Sequence, residues 1–180
     1  GEEEQRVCNA IDKMSKLNIK IIDTPIMSVR KIKSVAKKLK RTNSCDIVMI
    51  DYLQLIDMRA DNKSYNREQE VSNCSRSLKL MAKELEIPVM VLSQLSRKNE
   101  ERADKVPMLS DLRESGAIEQ DADSVFFIHR EEYYSDSAEV GKGLISIAKQ
   151  RDGATGDIDF SYNSSLTRLS DYGELTEMPF

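Results

Sequence analysis

The chain contains little cysteine and almost no histidine. Three cysteines and one histidine occur among its 180 residues, at Cys8, Cys45, Cys74 and His129. The cysteines are widely spaced and form no CxxC pair, whereas a structural zinc site uses four cysteine or histidine ligands, usually at short spacings. We therefore expect the three thiols to be buried or idle, we predict no zinc site, and we assign His129 no function.

Long apolar runs are also missing. No run approaches the ~18 apolar residues of a membrane span, and the first ten residues, GEEEQRVCNA, are acidic and polar rather than a signal peptide. We therefore expect no membrane association and a cytoplasmic location. Apolar residues make up 39% of the chain and charged residues 32%, which is typical of a globular domain with a core and not of a disordered chain.

The charge balance does not favour a nucleic-acid binder, because the formal net charge is −4. A binder needs only a local positive surface, however. Residues 29–41, VRKIKSVAKKLKR, form a local basic cluster in which the apolar residues recur at helical spacing. The basic side chains then lie on the opposite face of a helix, and an ordinary solvated face is the simpler explanation of this pattern.

Helical and strand patterns alternate along most of the chain. We predict helices at 3–16, 28–41, 67–86 and 109–120, with Ser110 as the cap of the last, and strands at 19–23, 46–51, 88–94 and 124–130. Loops are predicted at 58–66, 96–107 and 131–143, the last as a mobile hairpin or loop. Segments 143–151, 156–163 and 166–171 alternate between apolar and polar residues around turns, which predicts antiparallel strands. Together these patterns predict an α/β fold with a mostly parallel sheet, flanking helices and an antiparallel C-terminal flank.

Polar side chains follow two of the predicted parallel strands. Asp51 comes directly after the apolar run IVMI, and Ser93 and Gln94 end the strand VMVLSQ. The carboxyl ends of parallel strands meet at one edge of a sheet, where α/β proteins bind ligands. A carboxylate at that edge can hold Mg²⁺, and an amide can donate to a phosphate oxygen. Ordinary strand exits and turns explain the same residues, so this pattern alone does not decide between the two.

Two cations lie two residues apart in a predicted strand. Lys149 and Arg151 occur in AKQRDG, and alternate residues of a strand point to the same side. Such a pair is commonly the solvated face of an edge strand. It is also able to reach a phosphate on a neighbouring subunit, where the planar fork of arginine stabilises the charge of a transferred phosphoryl group.

Residues 110–123, SDLRESGAIEQDAD, combine carboxylates with Arg113 and Gly116. A plain surface helix would account for the composition. Gly116, however, permits close approach to the backbone, and amides near a helix end can bind phosphate despite the nearby acids.

With these pieces in this order, the chain resembles the C-terminal motor domain of the DnaB-type bacterial replicative DNA helicases. The matching segments lie within residues 44–163. They are IVMIDYLQLI, SRSLKLMAKELEIPVMVLSQLSR, RADKVPMLSDLRESGAIEQDADSVFFIHREEYY and IAKQRDGATGDIDFSYN. The occurrence of both DYLQL and DLRESGAIEQDAD in one chain makes the resemblance specific.

The resemblance implies a RecA-like fold, a homohexameric ring and ATP-driven movement along single-stranded DNA, with Mg²⁺ as the metal. It also implies a primase and a helicase loader as partners. Asp51 matches the family's Mg²⁺-side aspartate, which acts through water, and Gln94 matches the glutamine that senses the γ-phosphate. Lys149 and Arg151 match the pair that reaches the neighbour's nucleotide, with Arg151 as the arginine finger.

The DNA-contacting loop of the family is matched by Arg113, Glu114 and Gly116. In the family, the main chain of this loop contacts DNA phosphates inside the ring. An acidic domain can bind DNA in this way, because backbone amides contact the phosphates without reading sequence.

One part of the family pattern is not found. No GxxxxGK[ST] phosphate loop occurs in the chain, and the family carries that loop, and its activating glutamate, upstream of the matching segments. We therefore interpret residues 1–180 as a partial RecA-like domain that lacks its phosphate-loop strand. Because the loop wraps the phosphates in backbone N–H groups, we expect the chain alone neither to hydrolyse ATP nor to unwind DNA. We also expect apolar surface to be exposed where that strand would pack.

Two other functions remain open at this point. The first is a RecA-type recombinase or another ATPase with a RecA fold, which shares the strand ending in aspartate. The second is a non-catalytic remnant that binds a helicase or its loader.

Overall fold

The computed structural model describes residues 1–58 and 66–173, without the side chains of residues 97–98 and 113–115. The predicted loop at 58–66 therefore lies almost entirely outside the described residues. In chain order, the helices and strands are α1 (Glu2–Ser15), α2 (Val29–Arg41), β1 (Val48–Ile50), α3 (Arg67–Leu85), β2 (Val89–Val91), α4 (Gly116–Asp121), β3 (Ser124–His129), β4 (Lys142–Gln150), β5 (Gly156–Asn163) and β6 (Arg168–Asp171). Short 3₁₀ helices span Leu53–Leu55, Arg97–Glu101, Leu109–Ser115 and Glu131–Tyr133.

The described strands form two sheets. β1 and β2 pair in parallel, with Val48 opposite Val89 and Ile50 opposite Val91. The other four strands form an antiparallel sheet in the order β3-β4-β5-β6. The α/β class agrees with the prediction, but β3, which we expected in the parallel part, pairs with β4 instead. Within the described residues, antiparallel pairing is therefore more extensive than the sequence pattern suggested.

Helix α3 forms the centre of the main core. Its apolar residues recur every three or four positions, which places them on one face. The buried members are Val71, Cys74, Leu78, Met81 and Leu85. This face packs with the inward side chains of β1 and β2 and with α2. A second cluster joins Leu112 of the 3₁₀ helix to Val125 and Phe127 of β3, and Ile118 of α4 packs against both clusters.

Several apolar surfaces are open to solvent. Helix α1 has no buried residue, and the outward face of β1 and β2 exposes Met49 and Met90. The predicted strand at 19–23 is wrong, because the structure gives it no strand hydrogen bonds and leaves Ile21 85% exposed. A β-strand needs a neighbouring strand to satisfy its backbone, and no other described strand pairs with this segment.

Side-chain caps account for several helix ends. Ser28 Oγ accepts a hydrogen bond from Lys31 N at the start of α2, and Asn66 Oδ1 accepts one from Glu68 N at the start of α3. The prediction of Ser110 as a cap is wrong. That helix starts after Met108, and the carboxylate of Asp111 accepts the Met108 N–H at 2.9 Å.

The segment between β3 and β4 is held by Arg130. Its guanidinium lies 3.8 Å from the ring centroid of Tyr162 and 4.5 Å from that of Tyr133, and its Nε donates to Glu132 at 2.8 Å. The pKa of Glu132 is lowered by the hydrogen bond from Gly141 N and by Arg130. These contacts tie both ends of the segment to the antiparallel sheet.

The register of β4 and β5 depends on a close approach. Gly143 lies opposite Phe160, and a Cβ at position 143 would lie 2.1 Å from the Phe160 ring. No side chain fits there while the ring keeps its place.

Candidate active site

Asp51 and Gln94 lie at the same edge of the parallel sheet. Because Ile50 is opposite Val91, the residues that follow both strands leave at their shared carboxyl end. The pairing extends one residue further, with Leu92 N donating to Ile50 O at 3.0 Å. Both Asp51 and Gln94 are exposed. The structure thus brings together an exposed carboxylate and an exposed amide, as the sequence predicted.

Gln54 connects these two strand ends and was missed from the sequence. It lies in the 3₁₀ helix that follows β1. Its Oε1 accepts the N–H of Gln94 at 3.2 Å, and its Nε2 donates to Gln94 O and Ser93 Oγ, each at 3.3 Å. Gln54 therefore fixes the backbone of Gln94 relative to the end of β1. The available signal was a polar residue between Leu53 and Leu55.

The ligand chemistry of this edge suits a hydrated divalent cation. Asp51 offers one exposed carboxylate, and no group of three or more His, Cys, Asp or Glu side chains converges anywhere in residues 1–58 and 66–173. A site with one carboxylate does not suit zinc. It does suit Mg²⁺, which keeps several waters and combines one or two carboxylates with the phosphates of a substrate.

The segment after β2 is fixed by an ion pair. Arg102 Nη1 and Nη2 donate to the two carboxylate oxygens of Asp111 at 2.7 and 2.9 Å, and Arg102 Nη2 also donates to Val106 O. Ser96 N donates to Asp111 O. The hydrogen bonds from Arg102, together with that from Met108 N, lower the pKa of Asp111, which is buried. The chain between Ser96 and the 3₁₀ helix Leu109–Ser115 is therefore held by the side chain of Arg102 and by one backbone hydrogen bond.

The predicted DNA-contacting residues, Arg113, Glu114 and Gly116, come directly after Asp111 and Leu112 in the chain. The backbone of Arg113 and Glu114 belongs to the 3₁₀ helix Leu109–Ser115, and their side chains lie outside the described residues. Gly116 begins α4 and is exposed, with no atom within 4 Å of the position that a Cβ would take. Its backbone is accessible to a ligand.

Lys149 and Arg151 are at a different place, beside the carboxyl end of α4. Lys149 Nζ donates to Glu119 O at 2.5 Å and to Ala122 O at 2.8 Å. Arg151 lies one residue after the end of β4, and its Nη1 is 3.1 Å from Asp123 Oδ1. The two side chains thus contact adjacent residues of their own chain, Ala122 and Asp123. Lys149 binds within its own domain, and the side chain of Arg151 is 49% exposed.

The family model described as the DnaB-like helicase C terminal domain matches residues 1–171 of this chain. The chain belongs to this family. A relative named replicative DNA helicase DnaB, from Geobacillus stearothermophilus, is 47% identical over 163 residues. That match covers 89% of this chain and 36% of the relative. A protein of the same name from Rickettsia typhi is 44% identical over 197 residues, covering 99% of this chain and 39% of that relative.

Two solved structures share the fold. One, described as an ATPase domain, matches with a TM-score of 0.89 and 42% identity over 95% of this chain and 61% of that one. The other, a DnaB-like replicative helicase described with its interactions with primase, has a TM-score of 0.88 at 42% identity and covers 95% and 41%. The predicted DnaB-type resemblance and RecA-like α/β fold are thus confirmed. The DnaB-like chain spans little more than a third of the length of the curated relatives it matches.

Proposed function

We propose that this chain is part of a replicative DNA helicase that hydrolyses ATP. The parallel register of β1 and β2, which brings Asp51 and Gln94 to one edge of a DnaB-like fold, carries the proposal. The curated relatives are named as replicative helicases, and one structural neighbour is described as an ATPase domain. Within the described residues no helix has the length and apolarity of a membrane span, and we propose a cytoplasmic location by analogy with a replicative role.

At the nucleotide edge, Asp51 would hold Mg²⁺ through water, and the ion would neutralise phosphate charge. The side-chain amide of Gln94 donates a hydrogen bond to the γ-phosphate. Gln54 supports this role because it fixes the Gln94 backbone through both N–H and C=O. A neutral amide can orient a phosphate oxygen or a water without adding charge to the site.

Arg151 acts on the nucleotide of a neighbouring subunit in a homohexameric ring, together with Lys149. The exposed guanidinium beside the end of β4 supports this role, since an arginine acting in trans must reach the surface. Heterologous head-to-tail contacts close such a ring. In this chain the Lys149 ammonium donates to two carbonyls at the carboxyl end of α4, close to Asp123, which binds Arg151.

Single-stranded DNA contacts the segment with Arg113, Glu114 and Gly116. The open space around Gly116 supports an approach of phosphates to the backbone. Backbone amides recognise the DNA chain without reading its bases. One structural neighbour is described with primase, and we propose primase and a helicase loader as partners of the whole protein.

Residues 1–180 constitute one partial RecA-like domain, without a GxxxxGK[ST] motif in its sequence. Backbone N–H groups of such a loop bind the β- and γ-phosphates. The isolated chain is therefore expected to show no ATP hydrolysis above a buffer blank. Robust turnover by the isolated chain would contradict this assignment.

The decisive experiment measures Mg²⁺-dependent ATP hydrolysis and duplex unwinding by the full-length protein. We expect Asp51→Asn to abolish both activities. Asp46→Asn is the matched control, because Asp46 is an exposed aspartate at the opposite end of β1, and it should retain activity. Equal activity of the two variants would overturn the assignment of this edge.

A mixing experiment tests action in trans. Arg151→Ala should lower turnover by about 10³-fold or more, the range for an arginine finger. Rings co-assembled from Asp51→Asn and Arg151→Ala subunits should regain turnover, because some interfaces then combine an intact Asp51 with an intact Arg151. Co-assembled rings as inactive as either parent would exclude a shared site.

A further inference from the structure

Asp123 contacts both the backbone and the side chain of Arg151. The backbone N–H of Arg151 donates to Asp123 O at 2.8 Å. The guanidinium of Arg151 forms an ion pair with Asp123 Oδ1, at 3.1 Å from Nη1. Asp123 thus holds both the backbone of Arg151 and its guanidinium group. Asp123 lies between the end of α4 and the start of β3, within the motif IEQDAD, to which the proposed function gives no role.

Lys149 adds a second anchor two residues earlier. Its ammonium group donates to Glu119 O and Ala122 O, which are carbonyls at the carboxyl end of α4. The last carbonyls of a helix have no partner within the helix, and a cation there is favourable. The end of β4 is therefore attached to α4 by a side chain in addition to the backbone contact at Asp123.

The other oxygen of Asp123 has a different partner. Lys79 of α3 binds Asp123 Oδ2, and the hydrogen bond and charge of Lys79, with a smaller effect of the charge of Arg151, lower the pKa of Asp123. The two carboxylate oxygens of Asp123 therefore have separate partners, Lys79 at Oδ2 and Arg151 at Oδ1. A guanidinium has five N–H donors, so an ion pair through Nη1 leaves further donors of the fork for a phosphate.

We infer that Asp123 is a positioning residue for Arg151, assisted by Lys149, and that it holds the guanidinium ready to contact the nucleotide of the neighbouring subunit. The inference rests on the proposed role of Arg151. A free arginine side chain populates many rotamers and loses this freedom when it is ordered. Restricting it in advance reduces what must be lost when the transition state forms. Asp123 itself touches neither the phosphates nor the reacting atoms.

The test compares variants of the full-length protein in steady-state ATP hydrolysis. Asp123→Asn keeps the size and removes the charge, and we expect kcat to fall about 10- to 100-fold while the KM for ATP changes less than about twofold. Asp123→Glu should recover part of the loss. In an Arg151→Ala background, Asp123→Asn should cause no further decrease in kcat, because both changes remove the same contribution of Arg151.

Lys79→Met is the matched control. It removes the other partner of Asp123 and leaves Arg151 untouched, so kcat should stay within about twofold of the wild-type value. If Lys79→Met lowers kcat as much as Asp123→Asn, the effect belongs to the contact with α3 and the inference is overturned. If Arg151→Ala itself leaves kcat unchanged, the proposed function of Arg151 fails. If Arg151→Ala lowers kcat and Asp123→Asn does not, the inference alone fails.

A measurement on the isolated chain separates positioning from loss of folding. Asp123 is 56% exposed, so its replacement should leave the domain folded. The ¹H–¹⁵N heteronuclear NOE of the Arg151 Nε–Hε group should fall in Asp123→Asn and remain unchanged in Lys79→Met. An unchanged NOE in both variants would show that Asp123 does not restrict the guanidinium.

Discussion

Replacing Gln54 by methionine removes the side-chain link between the two strand ends of the candidate site. The change deletes three hydrogen bonds, two to Gln94 and one to Ser93, and keeps a side chain of similar size. A typical intramolecular hydrogen bond contributes about 0.5–1.5 kcal/mol net. Gln54 is only half-buried, so water replaces part of the loss. We expect the free energy of unfolding to fall by about 1–2 kcal/mol.

Urea denaturation of the isolated chain measures this change, with circular dichroism as the probe and a constant m-value as the check on two-state behaviour. Gln54→Glu should be intermediate, because a carboxylate still accepts the Gln94 N–H but cannot donate to Gln94 O. Gln120→Met, at an exposed glutamine of α4, is the control. If Gln54→Met and Gln120→Met both change the stability by less than about 0.3 kcal/mol, the proposed link contributes nothing measurable and our reasoning about Gln94 is refuted. In the full-length protein, Gln54→Met should also lower kcat.

Three further predictions concern stability. The side chain of Met81 is 0% exposed, whereas that of Met90 is 51% exposed. Met81→Ala should therefore lower the free energy of unfolding by about 2–5 kcal/mol. Met90→Ala should lower it by less than about 1 kcal/mol, and urea titration measures both changes. Glu86 ends α3 at φ 52° and ψ 45°, a left-handed conformation that favours glycine, so Glu86→Gly should raise the melting temperature through about 0.5–1 kcal/mol of added stability. Because Arg102 lowers the pKa of Asp111, the stabilisation by the carboxylate is complete above its unfolded pKa of about 4 and is lost as the pH falls through the lower folded pKa. The stability difference between wild type and Asp111→Asn should therefore shrink on acidification, and a difference that is constant from about pH 6 to pH 2 would contradict the ion-pair argument.

The position of Asp51 and Gln94 could be predicted because it depends only on strand direction. Both residues follow apolar runs, and the ends of parallel strands share an edge. The role of Gln54 could not be predicted, because two of its three hydrogen bonds are to backbone atoms 40 residues away along the chain. Periodicity indicates which side chains share a face, but it does not indicate which distant carbonyl a side chain reaches.

The wrong or altered predictions have similar physical causes. The apolar pattern of residues 19–23 fits a strand, but a strand also requires a partner, and the pattern of one segment contains no information about its neighbours. Alternation in β4 likewise does not indicate that Lys149 and Arg151 contact Ala122 and Asp123, because these partners are distant along the chain. In the helix after Met108, the capping preference of serine was outweighed by the carboxylate of Asp111, which Arg102 fixes.

The absence of a side chain at Gly143 fixes how β5 aligns with β4. The Phe160 ring occupies the space beside Gly143, so a slip of β5 by one residue would push the ring against Lys142 or Leu144. That slip would also turn the alternation of β5 to the opposite face. The single glycine therefore permits one alignment of β5 with β4, and the strand held in that alignment ends at Gln150, one residue before Arg151.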